Sequence, residues 1–395
     1  CICCLRKTSP GSFGIDMNKT ALQLQDRVLS LIGRGVAQPT TDAEFDALAR
    51  DIFAFQFERN AVYRAYCQQQ KRTPQTVQHW KEIPAVPASA FKEFALTCFP
   101  IEQAVAEFHT SGTTTEKSGK HFFRTLALYD AAIRANLAAH LLVARASRPF
   151  SSESTAEYGR YARATSLPAL VLTPSPYESP HSSLAHMMGV VVKEFGAPES
   201  GFYVERGALC VERLVRALRQ AERAKQPVFL LGTALAFVHL FDNCGANNLR
   251  FEMAEGSRAM ETGGFKGRSR EIPKTELYEM FETFLGIPPS LLVNEYGMTE
   301  LSTQFYDQTL RESRQIDRKT APPWSRVLII DPNTGREADE HKRGMIRICD
   351  LANLWSAMCI QTEDLGIANG NGFEILGRAA GAEVRGCSLN AEALM

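Results

Sequence analysis

Three short apolar runs, each stopped by a small polar loop, restrict this chain more than any other feature. They are Ala169-Leu170-Val171-Leu172 before Thr173-Pro174-Ser175-Pro176, Val228-Phe229-Leu230-Leu231 before Gly232-Thr233, and Leu291-Leu292-Val293 before Asn294-Glu295-Tyr296-Gly297. Runs that stay apolar without alternating belong to strands covered on both faces, the condition of a parallel sheet. Helical stretches near 183–195 and 209–225 lie between the first two. The pattern predicts an α/β domain with a mainly parallel sheet flanked by helices. Ligands in such sheets sit beyond the carboxyl ends of the strands, so the polar loops should meet on one edge.

The rest of the chain fits one large domain or two unequal ones. From Thr41 or Asp42, either of which can cap, Phe45, Leu48, Ala49, Ile52, Phe53 and Phe57 recur at helical spacing, and the stripe continues through Val62, Tyr63 and Tyr66. Ile83-Pro84-Ala85-Val86-Pro87 breaks it, because each proline biases its predecessor to extended geometry. Residues 125–145 form an amphipathic helix, and Ser147 to Arg163 reads as a polar surface excursion. After Trp324 short strand-like runs separated by turns such as Asp331-Pro332-Asn333-Thr334-Gly335 indicate a β-rich part, a small barrel or sheet attached to the α/β body.

Composition excludes several functions. Lysine plus arginine and aspartate plus glutamate each number 44 in 395 residues, so no bulk electrostatic partner such as nucleic acid is implied. No apolar run reaches the ~18 residues of a membrane span; the longest, Pro227 to Phe241, reads as a strand entering a helix. Ten cysteines spread thinly indicate reduced thiols and a cytoplasmic protein rather than a disulfide scaffold. Residues 1–16 lack a signal-peptide core and are expected to be an extension; the domain is drawn as 17–376, β-rich from about 324, with a hinge-like tail over 377–395.

Four loops carry chemistry. Phe108-His109-Thr110-Ser111-Gly112-Thr113-Thr114-Thr115-Glu116-Lys117-Ser118-Gly119-Lys120-His121 combines glycines, hydroxyls and lysines, the inventory of a phosphate-binding loop. It is not a Walker A loop, since Lys117 stands where that pattern needs glycine; a flexible polar loop is the plainer alternative. In Asn294-Glu295-Tyr296-Gly297-Met298-Thr299-Glu300, Tyr296 offers a face for a purine and Gly297 close backbone approach. Thr299 offers a hydroxyl, and Glu300 a hard ligand for Mg²⁺. Gln361-Thr362-Glu363-Asp364-Leu365-Gly366 places an aspartate where it can accept ribose hydroxyls, or is a simple turn. Arg378, after Gly377, can reach phosphate or ribose, or sit on the surface.

In this order the loops resemble those of the adenylate-forming superfamily of acyl-CoA synthetases, adenylation domains and luciferases. Thr110-Ser111-Gly112-Thr113-Thr114 with Gly119-Lys120 matches its phosphate loop, Tyr296-Gly297-Met298-Thr299-Glu300 its Tyr-Gly-x-Thr-Glu pattern. Thr362-Glu363-Asp364 stands where it has Thr-Gly-Asp, and Gly377-Arg378 at its hinge. Within it the chain resembles the acyl-protein synthetase (LuxE-like) family, through Phe53-x-x-Gln56, Tyr63-Arg64-x-Tyr66-Cys67, Ile83-Pro84-x-x-Pro87-x-x-x-Phe91-Lys92, Phe108 to Thr113, Glu261-Thr262-Gly263-Gly264-Phe265-Lys266-Gly267, Asn294 to Leu301 and Arg385-Gly386-Cys387-Ser388-Leu389.

The resemblance implies the large N-terminal-type domain without the usual mobile C-terminal one, and so without that domain's catalytic lysine; Lys120, Lys266 and Arg378 are candidate substitutes. It implies ATP and Mg²⁺ as cofactors, activation of a carboxylic acid, a fatty acid by family expectation, and transfer to a protein thiol. Residues 110–120, Lys120 included, would hold the β- and γ-phosphates. Gly263, Gly264, Tyr296 and Gly297 would serve adenine, Asp364 and Arg378 the ribose and phosphates, Thr299 the α-phosphate or carboxylate, and Glu300 the metal. Cys387 would carry the acyl group as a thioester before it passes to a partner such as an acyl reductase. His186 borders the acyl pocket on one reading and is a plain core histidine on another. A coenzyme A ligase similar to phenylacetate-CoA ligases and a non-catalytic protein of the same fold are the alternatives.

Overall fold

The computed structural model describes residues 11–110, 118–142, 166–263 and 272–379, with side chains from residue 19 onward. Three helices come first, α1 (Gly11–Gly33), α2 (Asp42–Arg59) and α3 (Ala61–Gln69). Composition gives no hint of α1, which runs across the expected boundary at residue 16. Thr41 caps α2, its hydroxyl accepting from Glu44 N at 3.1 Å. The aromatic stripe is two helices rather than one: Asn60 ends α2, and its side chain accepts from Tyr63 N at 3.0 Å to start α3. The bend lets the Tyr63 and Tyr66 hydroxyls donate to Pro84 O and Ala85 O, at 2.8 and 2.9 Å. Those bonds hold the extended segment that becomes β1 (Val86–Pro87).

A single turn, α4 (Ala90–Glu93), leads to the hairpin β2 (Ala106–His109) and β3 (Lys120–Phe123), then α5 (Ala127–Leu141). Alternation follows: β4 (Ala169–Leu172), α6 (Ser183–Phe195) and β5 (Gly201–Phe202), a small hairpin of β6 (Val204–Glu205) and β7 (Ala208–Leu209), and α7 (Val211–Ala224). It continues with β8 (Phe229–Thr233), α8 (Ala234–Ala246), β9 (Arg258–Thr262), α9 (Lys274–Leu285) and β10 (Leu292–Tyr296). Then come β11 (Phe305–Asp307), the turn α10 (Thr309–Glu312), β12 (Lys319–Thr320) and a meander of β13 (Ser325–Ile330), β14 (Arg343–Asp350), β15 (Cys359–Asn369) and β16 (Gly372–Arg378).

Twelve of these strands make one sheet, ordered β13-β14-β15-β16-β12-β11-β10-β9-β8-β4-β5 with β1 beside β15. From β10 to β5 the pairing is parallel, as the apolar runs predict. Alternate residues serve opposite faces. Leu170, Leu172, Leu230 and Leu292 pack under α7, α8 and α9. Ala169, Val171, Phe229, Leu231, Met260 and Val293 pack under α5 and α6. The β-rich part is attached as a continuation of the main sheet, because two-residue β12 pairs with β11 on one side and β16 on the other. The N-terminal helices close this end in a third core around Trp324.

Cys349 and Cys359 oppose each other in register across β14 and β15 and form a disulfide, against the expectation of reduced thiols throughout. Among the described residues Cys67, Cys98, Cys210 and Cys244 are free. No described helix is long and apolar enough to cross a membrane.

Candidate active site

The carboxyl end of β10 is the centre of the arrangement. Gly297 follows it, and a Cβ there would lie 2.5 Å from Glu295 Oε1, so any other residue would displace that carboxylate. Tyr296 packs beside Phe305 and Phe373, and its hydroxyl donates to Asp364 Oδ2 at 2.7 Å. Burial, then the neighbouring Asp364 charge, pushes the phenol well above its usual range, so it is a donor at every working pH. Asp364 sits on β15 beside a register shift at Leu365/Gly366, a bulge of the kind that re-aims side chains. It opposes Arg378 on β16, whose Nε lies 3.8 Å from Asp364 Oδ1 with the side chain largely exposed.

Thr299 joins three elements. Its hydroxyl donates to His109 O at 3.3 Å and meets Ser183 Oγ, at the start of α6, at 3.3 Å. Its carbonyl accepts from His121 Nδ1 at 2.9 Å. Burial lowers the His121 imidazole to about 4, so a neutral ring with its proton on Nδ1 ties β3 to the turn after β10. Glu300 follows, 8% exposed, with its carboxyl raised to about 7 by burial first and by the nearby Glu363 and Asp364 charges after that. Behind it Asp350 anchors the chain, accepting from Ser302 N at 2.9 Å, Thr303 Oγ1 at 2.7 Å and Ala352 N at 3.0 Å. Asn353 Nδ2 donates to Glu300 O at 2.8 Å.

The β2–β3 hairpin carries the phosphate-loop candidates. Thr110 locks the loop's root: its N–H donates to Gly119 O at 2.9 Å, and its hydroxyl accepts from Gly119 N at 2.8 Å. Ser118 Oγ donates to Thr110 O at 2.5 Å. A Cβ on Gly119 would come within 3.1 Å of Thr110, so this close pairing takes glycine. Lys120 faces His109 across the hairpin, and its ammonium lies 2.9 Å from Glu107 Oε1. Ser111, Gly112, Thr113, Thr114, Lys117, Gly264, Lys266, Arg385 and Cys387 lie outside the described residues. Gly263 follows β9 at φ +74 with open space where a side chain would be.

His186 is held rather than free. Its Nε2 lies 2.7 Å from Asp130 Oδ1, and its ring lies against Tyr129 and Phe108. No sequence pattern reveals the polar network beneath β10. Asn294 Nδ2 donates to Glu261 Oε1 at 2.6 Å, Tyr278 OH to the same oxygen at 3.2 Å, and Asn294 N to Asp307 Oδ2 at 2.8 Å. Lys319 Nζ donates to Asn294 Oδ1, and Thr262 Oγ1 to Glu295 Oε2. Burial lowers the Lys319 ammonium to about 8 and raises the Glu295 carboxyl to about 7. No motif marks Lys319, which follows Asp317 and Arg318 in a charged stretch.

A doubly covered parallel sheet extended by an antiparallel meander, with these loops along one edge, is the fold of adenylate-forming ligases. A structure of 2-hydroxyisobutyryl-CoA ligase in an open conformation with 2-HIB-AMP and CoA matches with a TM-score of 0.60 at 14% identity, covering 87% of this chain and 76% of that one. The same ligase in its postadenylation state with 2-HIB-AMP gives 0.59 at 14% identity, covering 91% and 74%. The family model "Acyl-protein synthetase, LuxE" matches residues 175–394, and the chain belongs to that family. It is 22% identical over 356 residues to the long-chain-fatty-acid–luciferin-component ligase of Aliivibrio fischeri, covering 87% of each chain. With the Vibrio harveyi protein of the same name it shares 20% over 355 residues, covering 87% of this chain and 86% of that one.

Proposed function

We propose that this LuxE-family ligase activates a carboxylic acid, a long-chain fatty acid, with ATP and passes the acyl group to a protein thiol. The observation that carries this is the Tyr296–Glu300 turn, which hydrogen-bonds the β2–β3 hairpin through Thr299 and Asp364, the neighbour of Arg378, through Tyr296. An oxygen of the acid attacks the α-phosphorus of ATP, the bond to pyrophosphate breaks, and an acyl-adenylate forms. Two anions must meet, so the protein's part is positioning and charge neutralisation.

Thr110, Ser111, Gly112, Thr113, Thr114 and Lys120 take the β- and γ-phosphates, with Lys120 leaving Glu107 to do so. Gly263 and Gly264 offer backbone to adenine, while Tyr296 and Gly297 offer it a face and an approach. With Tyr296 hydrogen-bonded to Asp364, a purine on one and a ribose on the other would lie side by side. Arg378, exposed next to Asp364, reaches ribose or phosphate. Thr299 holds the α-phosphate or the incoming carboxylate. His186, fixed by Asp130, borders the acyl group. Glu300, with Glu363 and Asp364 close enough to raise its carboxyl, is a donor set suited to Mg²⁺. A divalent ion held there would offset the repulsion between the phosphates and the acid.

In the second half-reaction the Cys387 thiolate attacks the acyl carbonyl, AMP leaves, and a thioester remains for a partner protein such as an acyl reductase. Replacing Cys387 with Ser tests both halves: acid-dependent ATP–pyrophosphate exchange persists while labelled fatty acid no longer stays on the protein. Label retained by the variant removes Cys387 from the scheme. Acyl-CoA released with no acyl-protein in the wild type would make coenzyme A the acceptor.

A further inference from the structure

We propose a second metal site, separate from Glu300, in which Glu107, His109 and His181 bind a divalent transition metal of the zinc class. The ligand atoms of these three residues lie within 4.8 Å of one another. Glu107 and His109 are two apart on β2 and so share a face. His181 comes from the turn before α6 and is fastened to the same strand twice. His109 N donates to His181 O at 2.8 Å, and His181 Nδ1 lies 3.0 Å from Glu107 O. A carbonyl cannot donate, so Nδ1 carries the proton. The Nε2 lone pair of a neutral His181 is therefore left for a metal. An imidazole oriented by a backbone carbonyl on its other nitrogen is the arrangement that metal-binding histidines adopt.

The other two ligands are equally constrained. The His109 ring stacks on His181 with centroids 4.5 Å apart and planes at 4°, and its Nε2 lies 2.5 Å from Glu107 Oε1. Tetrahedral zinc, with bonds of about 2.0–2.2 Å, needs its donors roughly 3.4 Å apart. Binding thus opens the His109–Glu107 contact and turns the His109 ring out of its stack, since the in-plane lone pairs of parallel rings cannot meet at one ion. The Nε2 proton of His109 moves to Nδ1 or to solvent, as metal binding releases protons. The ion replaces Lys120 as the positive partner of Glu107, leaving the ammonium to turn toward the 110–119 loop. Two imidazoles and one carboxylate, with a fourth position for water, suit zinc or cobalt rather than magnesium, which prefers oxygen throughout.

The test uses untagged full-length chain stripped with chelator and titrated with ZnCl₂ by calorimetry, then with CoCl₂ by absorption. Wild type should take up zinc at this site. His181→Ala and Glu107→Gln, each shown to keep the wild-type melting temperature within a few degrees, should weaken it about 10-fold or more. The cobalt form should lack the intense near-ultraviolet band of thiolate ligation, which separates this site from the chain's cysteines. Equal affinity in wild type and both variants, a thiolate band, or no zinc uptake would overturn the proposal. Pyrophosphate exchange is not the readout, so failure here leaves the adenylation reading untouched.

Discussion

The parallel half of the sheet and the seam where it joins the meander bury their residues for opposite ends. Across β5, β4 and β8 the interior is mostly leucine, valine and phenylalanine on both faces, and it holds helices in place. On β9 through β12, the turn after β10 and the end of β14, the same depth holds Glu261, Glu295, Glu300, Asp307, Lys319 and Asp350. Buried charge destabilises unless it is fully paired, and several of these carboxyls are raised rather than lowered. The seam therefore spends stability that the parallel half supplies, and its loops are where a charged substrate would be met. Activity and stability should respond in opposite directions to substitutions on the two sides.

The largest effect is expected at the seam. Glu300→Gln should lower acid-dependent pyrophosphate exchange about 10²–10³-fold, as loss of a transition-state electrostatic contact does. It should also stabilise the protein, in a pH-dependent way. Glu300 titrates near 7 folded against 4.5 unfolded, so the folded state holds the extra proton between those values. Its contribution is intact below about 4.5 and is lost as pH rises through 7. Urea denaturation should show the variant ahead of wild type at pH 8 and the gap closing by pH 4; a gap unchanged with pH would contradict the cause given.

Leu231→Ala, fully buried in β8, is the counterpart from the parallel half. It should cost about 2–5 kcal/mol in denaturant melts while exchange per folded molecule stays at the wild-type value in the cold. Lost exchange without lost stability would break the division. Lys120→Ala should reduce exchange about 10- to 100-fold, the worth of a charge-assisted hydrogen bond, with little change in melting temperature, since its ion pair with Glu107 is half-exposed. Near-normal exchange would return the hairpin loop to a plain polar turn. Tyr296→Phe should be the mildest, raising the KM for ATP by a few-fold through the lost bond to Asp364, with about 0.5–1.5 kcal/mol at stake.

What was legible in the sequence was local. Apolar runs ending in small polar residues give the parallel strands β4, β8 and β10 directly, and Tyr296-Gly297-Met298-Thr299-Glu300 marks its own turn by the glycine packed beside Glu295. What was hidden depends on pairing across distance. Two residues of β12 decide that the meander extends the sheet, and no periodicity can be read from two residues. His121 meets Thr299 across 178 positions. Asn60 splits one apparent helix because a capping side chain outweighs a continuous stripe. The Cys349–Cys359 bridge follows from antiparallel register, which spacing alone does not give. Lys319 becomes informative only once Asn294, Glu261 and Asp307 surround it.

The measurement closest to the central claim is ATP–pyrophosphate exchange by the purified wild-type chain across a series of fatty, aryl and hydroxy acids, with Glu300→Gln in parallel. Exchange that requires a long-chain fatty acid and collapses in the variant is the predicted result. No exchange with any acid, or exchange that survives intact without the Glu300 carboxylate, would contradict it.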